Sequence, residues 1–138
     1  MERQNILLVE DNPDDVELTR RALKKTNIHF QMTVVTDGES ALNLLLVAEG
    51  RNTFHPSFLL LDLNLPKVDG LEVLRRIRAH PETRALPVII MTGSREEEAF
   101  LEGCSLGVDA YVRKPADFQQ IDAALRQLQL SSLLAGDR

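Results

Sequence analysis

Short apolar runs alternate along this chain with longer stretches in which apolar residues recur every three or four positions. The runs at 6–9, 32–35, 58–61, 87–91 and 110–112 have strand length. Between them the spacing is helical. Asn12 is placed to cap a helix that starts at Pro13, and Asp14, Asp15 and Glu17 suit its positive end. Val16, Thr19, Arg20 and Leu23 continue it, with Val16 and Leu23 facing the core. Ala41, Leu42, Leu45 and Leu46 mark a second helix over about 38–48, and Leu71, Leu74 and Ile77 a third after the Asp69-Gly70 turn. A fourth is expected over about 96–106, weakened by Gly103 and an acid cluster. Phe118, Ile121, Leu125 and Leu128 define the last. Residues 49–57 read as a connector and 135–138 as a frayed tail.

The order is β-α five times over. Strands that read as solid apolar runs are buried on both faces, which requires helices on both sides of a parallel sheet. Right-handed crossovers then make a doubly wound five-stranded α/β fold. One domain over 1–138 is expected, its core spanning about 5–130, because nothing is left over for a second one.

Composition changes this picture only by exclusion. A net charge of −5, no Trp and one Tyr disfavour direct nucleic-acid binding. The one cysteine, Cys104, cannot form an internal disulfide or a thiolate metal site. Its small neighbours Gly103 and Ser105 suggest a buried position in a reducing compartment. No apolar run is long enough to span a bilayer and none resembles a signal peptide, so a cytoplasmic protein without membrane contact is expected.

In an open parallel sheet, ligands collect beyond the carboxyl ends of the strands. There the sequence places Glu10 and Asp11, then Asp62, then Thr92-Gly93-Ser94, then Lys114-Pro115. Each alone has an ordinary explanation: turn acids, a strand-end cap, a solvated lysine. Together they form a chemical set. Crowded carboxylates raise one another's pKa, and a divalent cation relieves that. Mg²⁺ takes oxygen ligands, here Asp11 and Asp62, with Glu10 acting through water and the backbone carbonyl of Asn64 as a further ligand. An aspartate can attack phosphorus to form an acyl phosphate, a reaction that needs mainly positioning and charge neutralisation. Lys114 and the Thr92 hydroxyl would hold the other phosphoryl oxygens.

The ordered motifs carry a resemblance. Leu7-Leu8-Val9-Glu10-Asp11-Asn12, Leu61-Asp62-Leu63-Asn64-Leu65-Pro66 with Asp69-Gly70, Met91-Thr92-Gly93 and Tyr111-Val112-Arg113-Lys114-Pro115 resemble the receiver domains of two-component response regulators. The resemblance implies the flavodoxin-like receiver fold, a phosphoacceptor at Asp62, an acid pair at Glu10 and Asp11, a switch hydroxyl at Thr92, a switch aromatic at Tyr111 and a cis Lys114-Pro115 bond. It implies a signalling phosphoacceptor rather than an enzyme with a separate substrate, fed by a phosphohistidine on a sensor histidine kinase. Asn12-Pro13-Asp14-Asp15, the long connector 50–57 and His80-Pro81-Glu82 are similar to stand-alone regulators of bacterial phytochrome-type kinases. Those commonly form homodimers through the fourth helix, fifth strand and fifth helix. Glu10 departs from the commoner Asp, and Asn64 and Ser94 occupy positions that influence hydrolysis in the family.

Three other functions share parts of this pattern. An aspartyl phosphohydrolase resembles a pattern with a second acid two residues past the nucleophile, where this chain has Asn64. A flavin carrier needs a phosphate-cradling loop after the first strand, where this chain has Glu10, Asp11, Asp14 and Asp15. A receiver that works only as an unphosphorylated docking module is the third. His29, His55 and His80 are expected in surface or structural roles.

Overall fold

The computed structural model describes residues 3–46 and 54–128. Ten elements follow one another: β1 (Gln4–Val9), α1 (Pro13–Lys24), β2 (Phe30–Val35), α2 (Gly38–Leu45), β3 (Phe58–Asp62), α3 (Gly70–Ala79), β4 (Val88–Thr92), α4 (Arg95–Gly103), β5 (Ala110–Arg113) and α5 (Phe118–Gln127). The strands pair in parallel in the order β2-β1-β3-β4-β5. The order reverses between β1 and β3, so the chain leaves a crevice at their carboxyl ends.

Strand periodicity divides the core in two. Ile6, Leu8, Phe58, Leu60, Ile89, Met91 and Val112 face α1 and α5, packing on Leu23, Ile121 and Leu125. Leu7, Val9, Leu59, Leu61, Val88 and Ile90 face the other way, onto Leu42 and Leu45 of α2, Val73, Leu74 and Ile77 of α3 and Leu101 of α4. The expected burial on both faces holds fully for β3 and β4. The edge strand β2 is only half-buried, since one side has no neighbour strand.

Each of the five described helices starts on a side-chain cap. Asn12, Asp37, Asp69, Ser94 and Asp117 accept backbone N–H groups of the first turn. In a βα unit these helix starts lie at the same edge as the strand ends, so their positive dipole ends face the acids gathered there.

The fourth helix is shorter than its apolar pattern suggested. It ends at Gly103 rather than near Leu106. Ser105 and Gly107 adopt left-handed backbone angles (φ 55° and 71°), and such residues cannot continue a right-handed helix. Cys104 is correspondingly not buried: it caps the C-terminus of α4 as a half-buried free thiol. α2 also stops short of the expected residue 48: it ends at Leu45, and Leu46 leaves helical geometry at φ −117° and ψ 79°. Residues 47–53, which hold most of the expected connector, and the 135–138 tail lie outside the described residues.

Two glycines are demanded by close approach. A Cβ on Gly70 would meet the carbonyl oxygen of Asp62 and the backbone of Leu63. A Cβ on Gly38 would collide with the carbonyl of Val68. Both contacts seat the loop after β3, and with it Asp62.

Candidate functional site

The carboxyl ends of β1, β3, β4 and β5 bring Glu10, Asp62, Thr92 and Lys114 to one edge. Glu10 and Thr92 are 0% and 1% exposed and Asp62 is 2% exposed, whereas Asp11 is open to solvent. Alternation along the strands sets their directions. Asp62 follows Leu60 onto the α1–α5 side, and Thr92 follows Ile90 onto the side of α4.

Lys114 is the hub. Its Nζ lies 2.9 Å from Asp62 Oδ2, 3.0 Å from Glu10 Oε1 and 3.5 Å from Asp15 Oδ2. The Lys114-Pro115 bond that presents it is cis. Backbone N–H groups hold the remaining oxygens: Asn64 donates to Asp62 Oδ1 at 3.2 Å, and Asn12 donates to Glu10 Oε2 at 3.1 Å. Glu10 Oε1 has Lys114 as a counter-charge but no aligned hydrogen bond.

The electrostatics follow from burial. Removal from water pushes the Glu10 carboxyl up to about 7; the Lys114 ammonium pulls it down and the Asp62 charge pushes it up. Burial alone would lower the pKa of Lys114. The carboxylates of Asp62 and Glu10 outweigh that and hold it above the ordinary lysine value. Lys114 therefore stays charged throughout the physiological range.

Glu10, Asp11 and Asp62 each offer an oxygen, and these oxygens all lie within 4.8 Å of one another. The donors are anionic oxygens without sulfur or imidazole, the chemistry of a hard divalent cation such as Mg²⁺ or Mn²⁺.

On the α4 side, the Thr92 hydroxyl donates to Glu98 Oε2 at 3.3 Å, and Arg113 Nη2 reaches the same oxygen at 3.1 Å. Tyr111, half-buried between α4 and the sheet, keeps its hydroxyl buried without a hydrogen-bond partner. Burial raises its pKa, and the acids Glu102 and Glu98 add to the shift.

The sequence reading places Glu10, Asp11, Asp62, Thr92 and Lys114 at one edge; the structure clusters Glu10, Asp11, Asp62 and Lys114 there, while the Thr92 hydroxyl turns to Glu98 on α4. Asn64 is present through its backbone N–H. Asp15, Glu98 and Arg113 were missed. Asp15 looked like a helix-start acid and Glu98 like one of an acid run, and neither carries a local signal of its long-range partner. His29 and His55 are exposed, and His80 caps α3, accepting the Glu82 N–H.

Comparison with known proteins supplies the family. The response regulator receiver domain model matches residues 6–126. The response regulator Rcp1 of Synechocystis sp. is 36% identical over 117 residues, covering 84% of this chain and 80% of that protein. Among solved structures, the bacteriophytochrome response regulator AtBRR shares 44% identity at a TM-score of 0.83, covering 94% of each chain. The bacteriophytochrome response regulator RtBRR shares 42% at 0.84, covering 92% of this chain and 78% of that one. The Mn²⁺-bound form of Rcp1 shares 34% at 0.72, covering 95% and 94%. On the strength of a match over nearly the whole described chain, and of a strand-end site that reproduces the ordered motifs, this protein belongs to the family of response regulator receiver domains, with phytochrome response regulators among its near relatives.

Proposed function

We propose that Asp62 accepts a phosphoryl group from a phosphohistidine on a sensor histidine kinase, with Mg²⁺ held by Asp11, Asp62 and the Asn64 carbonyl and with Glu10 behind them. The observation that carries this reading is the environment of Asp62. It is a nearly buried carboxylate with one oxygen fixed by the Asn64 N–H and the other 2.9 Å from Lys114, beside two further acid oxygens.

An Asp62 oxygen attacks phosphorus as the nitrogen–phosphorus bond of the donor breaks, and the departing imidazole takes up a proton. Asn64 N–H and Lys114 orient the nucleophile. Lys114 then pairs with a phosphoryl oxygen, and the Thr92 hydroxyl donates to another. The divalent cation, when bound, neutralises the charge of the incoming phosphoryl oxygens. Thr92 and Tyr111 report the new state to the α4–β5–α5 face. The phytochrome regulators among its relatives support a phytochrome-type kinase as donor. A homodimer through α4, β5 and α5 belongs to the same reading, as does a cytoplasmic location for a single receiver unit; among the described residues no helix is long and apolar enough to cross a membrane.

Intact mass after incubation with acetyl phosphate tests the core of the reading. One phosphoryl group should be gained by the wild type, only with Mg²⁺, and none by Asp62→Asn. A folded, Mg²⁺-binding wild type that gains nothing from acetyl phosphate or from a cognate kinase would leave a docking module instead.

A further inference from the structure

The Thr92 hydroxyl has one hydrogen, and in this structure its acceptor is Glu98, across a long contact of 3.3 Å. Thr92 is sealed from water, and the Glu98 oxygen that accepts from it is also held by Arg113 at 3.1 Å. The backbone that carries Arg113 is fixed. Its backbone N–H donates to Gln120 Oε1 at 2.7 Å, and Gln120 Nε2 returns a bond to the Arg113 carbonyl at 2.8 Å. A continuous chain thus runs from Thr92 through α4 and β5 to α5. The directions come from strand alternation, which points Thr92 to the α4 side and Asp62 to the α1–α5 side.

A hydroxyl donates one hydrogen bond at a time. Donation to Glu98 and donation to a phosphoryl oxygen on Asp62 therefore exclude each other. We infer that Glu98 is a positioning residue that holds Thr92 in the unphosphorylated arrangement, so that phosphorylation of Asp62 must break the Thr92–Glu98 bond and thereby loosen α4. The inference rests on the phosphoacceptor reading above. It adds a residue that opposes the switch, anchored through Arg113 to α5. The anchor explains why Glu98 does not simply follow Thr92: its carboxylate stays with the guanidinium.

Beryllofluoride mimics a phosphoryl group on an aspartate in the presence of Mg²⁺, and its affinity reads the cost of releasing Thr92. It is titrated into the full chain as wild type, Glu98→Ala, Glu98→Gln, Thr92→Val and the Thr92→Val/Glu98→Ala pair. Glu98→Ala should tighten binding about five-fold, the worth of one modest hydrogen bond. Glu98→Gln, which keeps an acceptor, should change it less. In the Thr92→Val background the Glu98→Ala effect should vanish, because a merely structural role for Glu98 would persist there. Unchanged or weaker binding by Glu98→Ala, or the same change in both backgrounds, overturns the inference. Urea unfolding of the same proteins without beryllofluoride reads the contact independently of phosphoryl chemistry, and a double-mutant cycle with no coupling between positions 92 and 98 also overturns it. Coupling present in a wild type that binds no beryllofluoride would instead sink the phosphoacceptor reading, and the gating role with it.

Discussion

Lys114 sits among three carboxylates, two of them on buried or nearly buried side chains. Truncating the lysine leaves Asp62 a nearly buried charge without its cation, which costs more than the pair contributes, while Glu10, already raised to about 7, relieves part of the cost by taking up a proton. Lys114→Met should therefore lower the stability of the metal-free protein by about 3 kcal/mol at neutral pH, read by urea unfolding. Part of the loss should return on adding Mg²⁺, which supplies the missing positive charge. Asp37 carries a pH dependence of its own, away from this site. The Ser40 backbone N–H, the Ser40 hydroxyl and the Lys67 ammonium hold its carboxyl below the ordinary 3.8. A depressed folded-state pKa means stability that is present above the unfolded value and is lost as pH falls through the folded one. Asp37→Asn keeps the capping oxygen but removes the charge. Its deficit against the wild type should stay constant at neutral pH and shrink as pH drops below 3.8, seen in acid unfolding curves. The residues that sequence could reveal are those whose position follows from counting along a strand. Asp62 ends an apolar run and Lys114 precedes a proline after one. Asp15 and Glu98 owe their roles to a partner many residues away, and only the packed chain shows it.

Among the elements, the caps were legible because they are local: Asn12 before Pro13, and Asp69 before Gly70. The end of α4 was not. Its apolar spacing continues to Leu106, and the left-handed angle at Ser105 has no side-chain signature. Arg78 was equally silent, a cation in the last turn of α3. In the structure its guanidinium donates to the carbonyls of Leu106, Leu86 and Gly107 at 2.7–2.8 Å and of Arg84 at 3.1 Å. It also faces Asp109, which accepts the Val88 N–H at 2.8 Å. One side chain thus joins the end of α3 to the loops that start β4 and β5. Arg78→Lys should cost about 3 kcal/mol, because a point donor cannot serve four carbonyls at once; thermal unfolding checks this. Gly70→Ala should misplace the Asp62 carbonyl, destabilising the fold by about 2 kcal/mol and slowing phosphoryl uptake. Gly70→Ala that phosphorylates at the wild-type rate would refute the second half of that expectation.

For the whole molecule, the helices are anchored unequally. α1, α2, α3 and α5 each bury three or four residues, while α4 buries Leu101 alone. Local opening free energy follows buried contact, so the sheet centre should exchange its amides slowest and α4 fastest among the helices. Hydrogen exchange followed by mass spectrometry reads both, and beryllofluoride should alter exchange in α4 and β5 more than in α1. The doubly wound architecture itself was fully legible, because alternation of apolar runs and helical stripes leaves few arrangements for five parallel strands.

No spacer separates the strands from the reacting groups. Asp62 is the last residue of β3, Thr92 the last of β4, and Glu10 the first after β1. Position along a strand also decides which of two cores each side chain enters. A single inserted or deleted codon in β1, β3 or β4 would therefore exchange the two cores and carry an acid or hydroxyl to the wrong face in the same event. Length variation among lineages should consequently collect outside these segments, which keep a fixed residue count from strand to site.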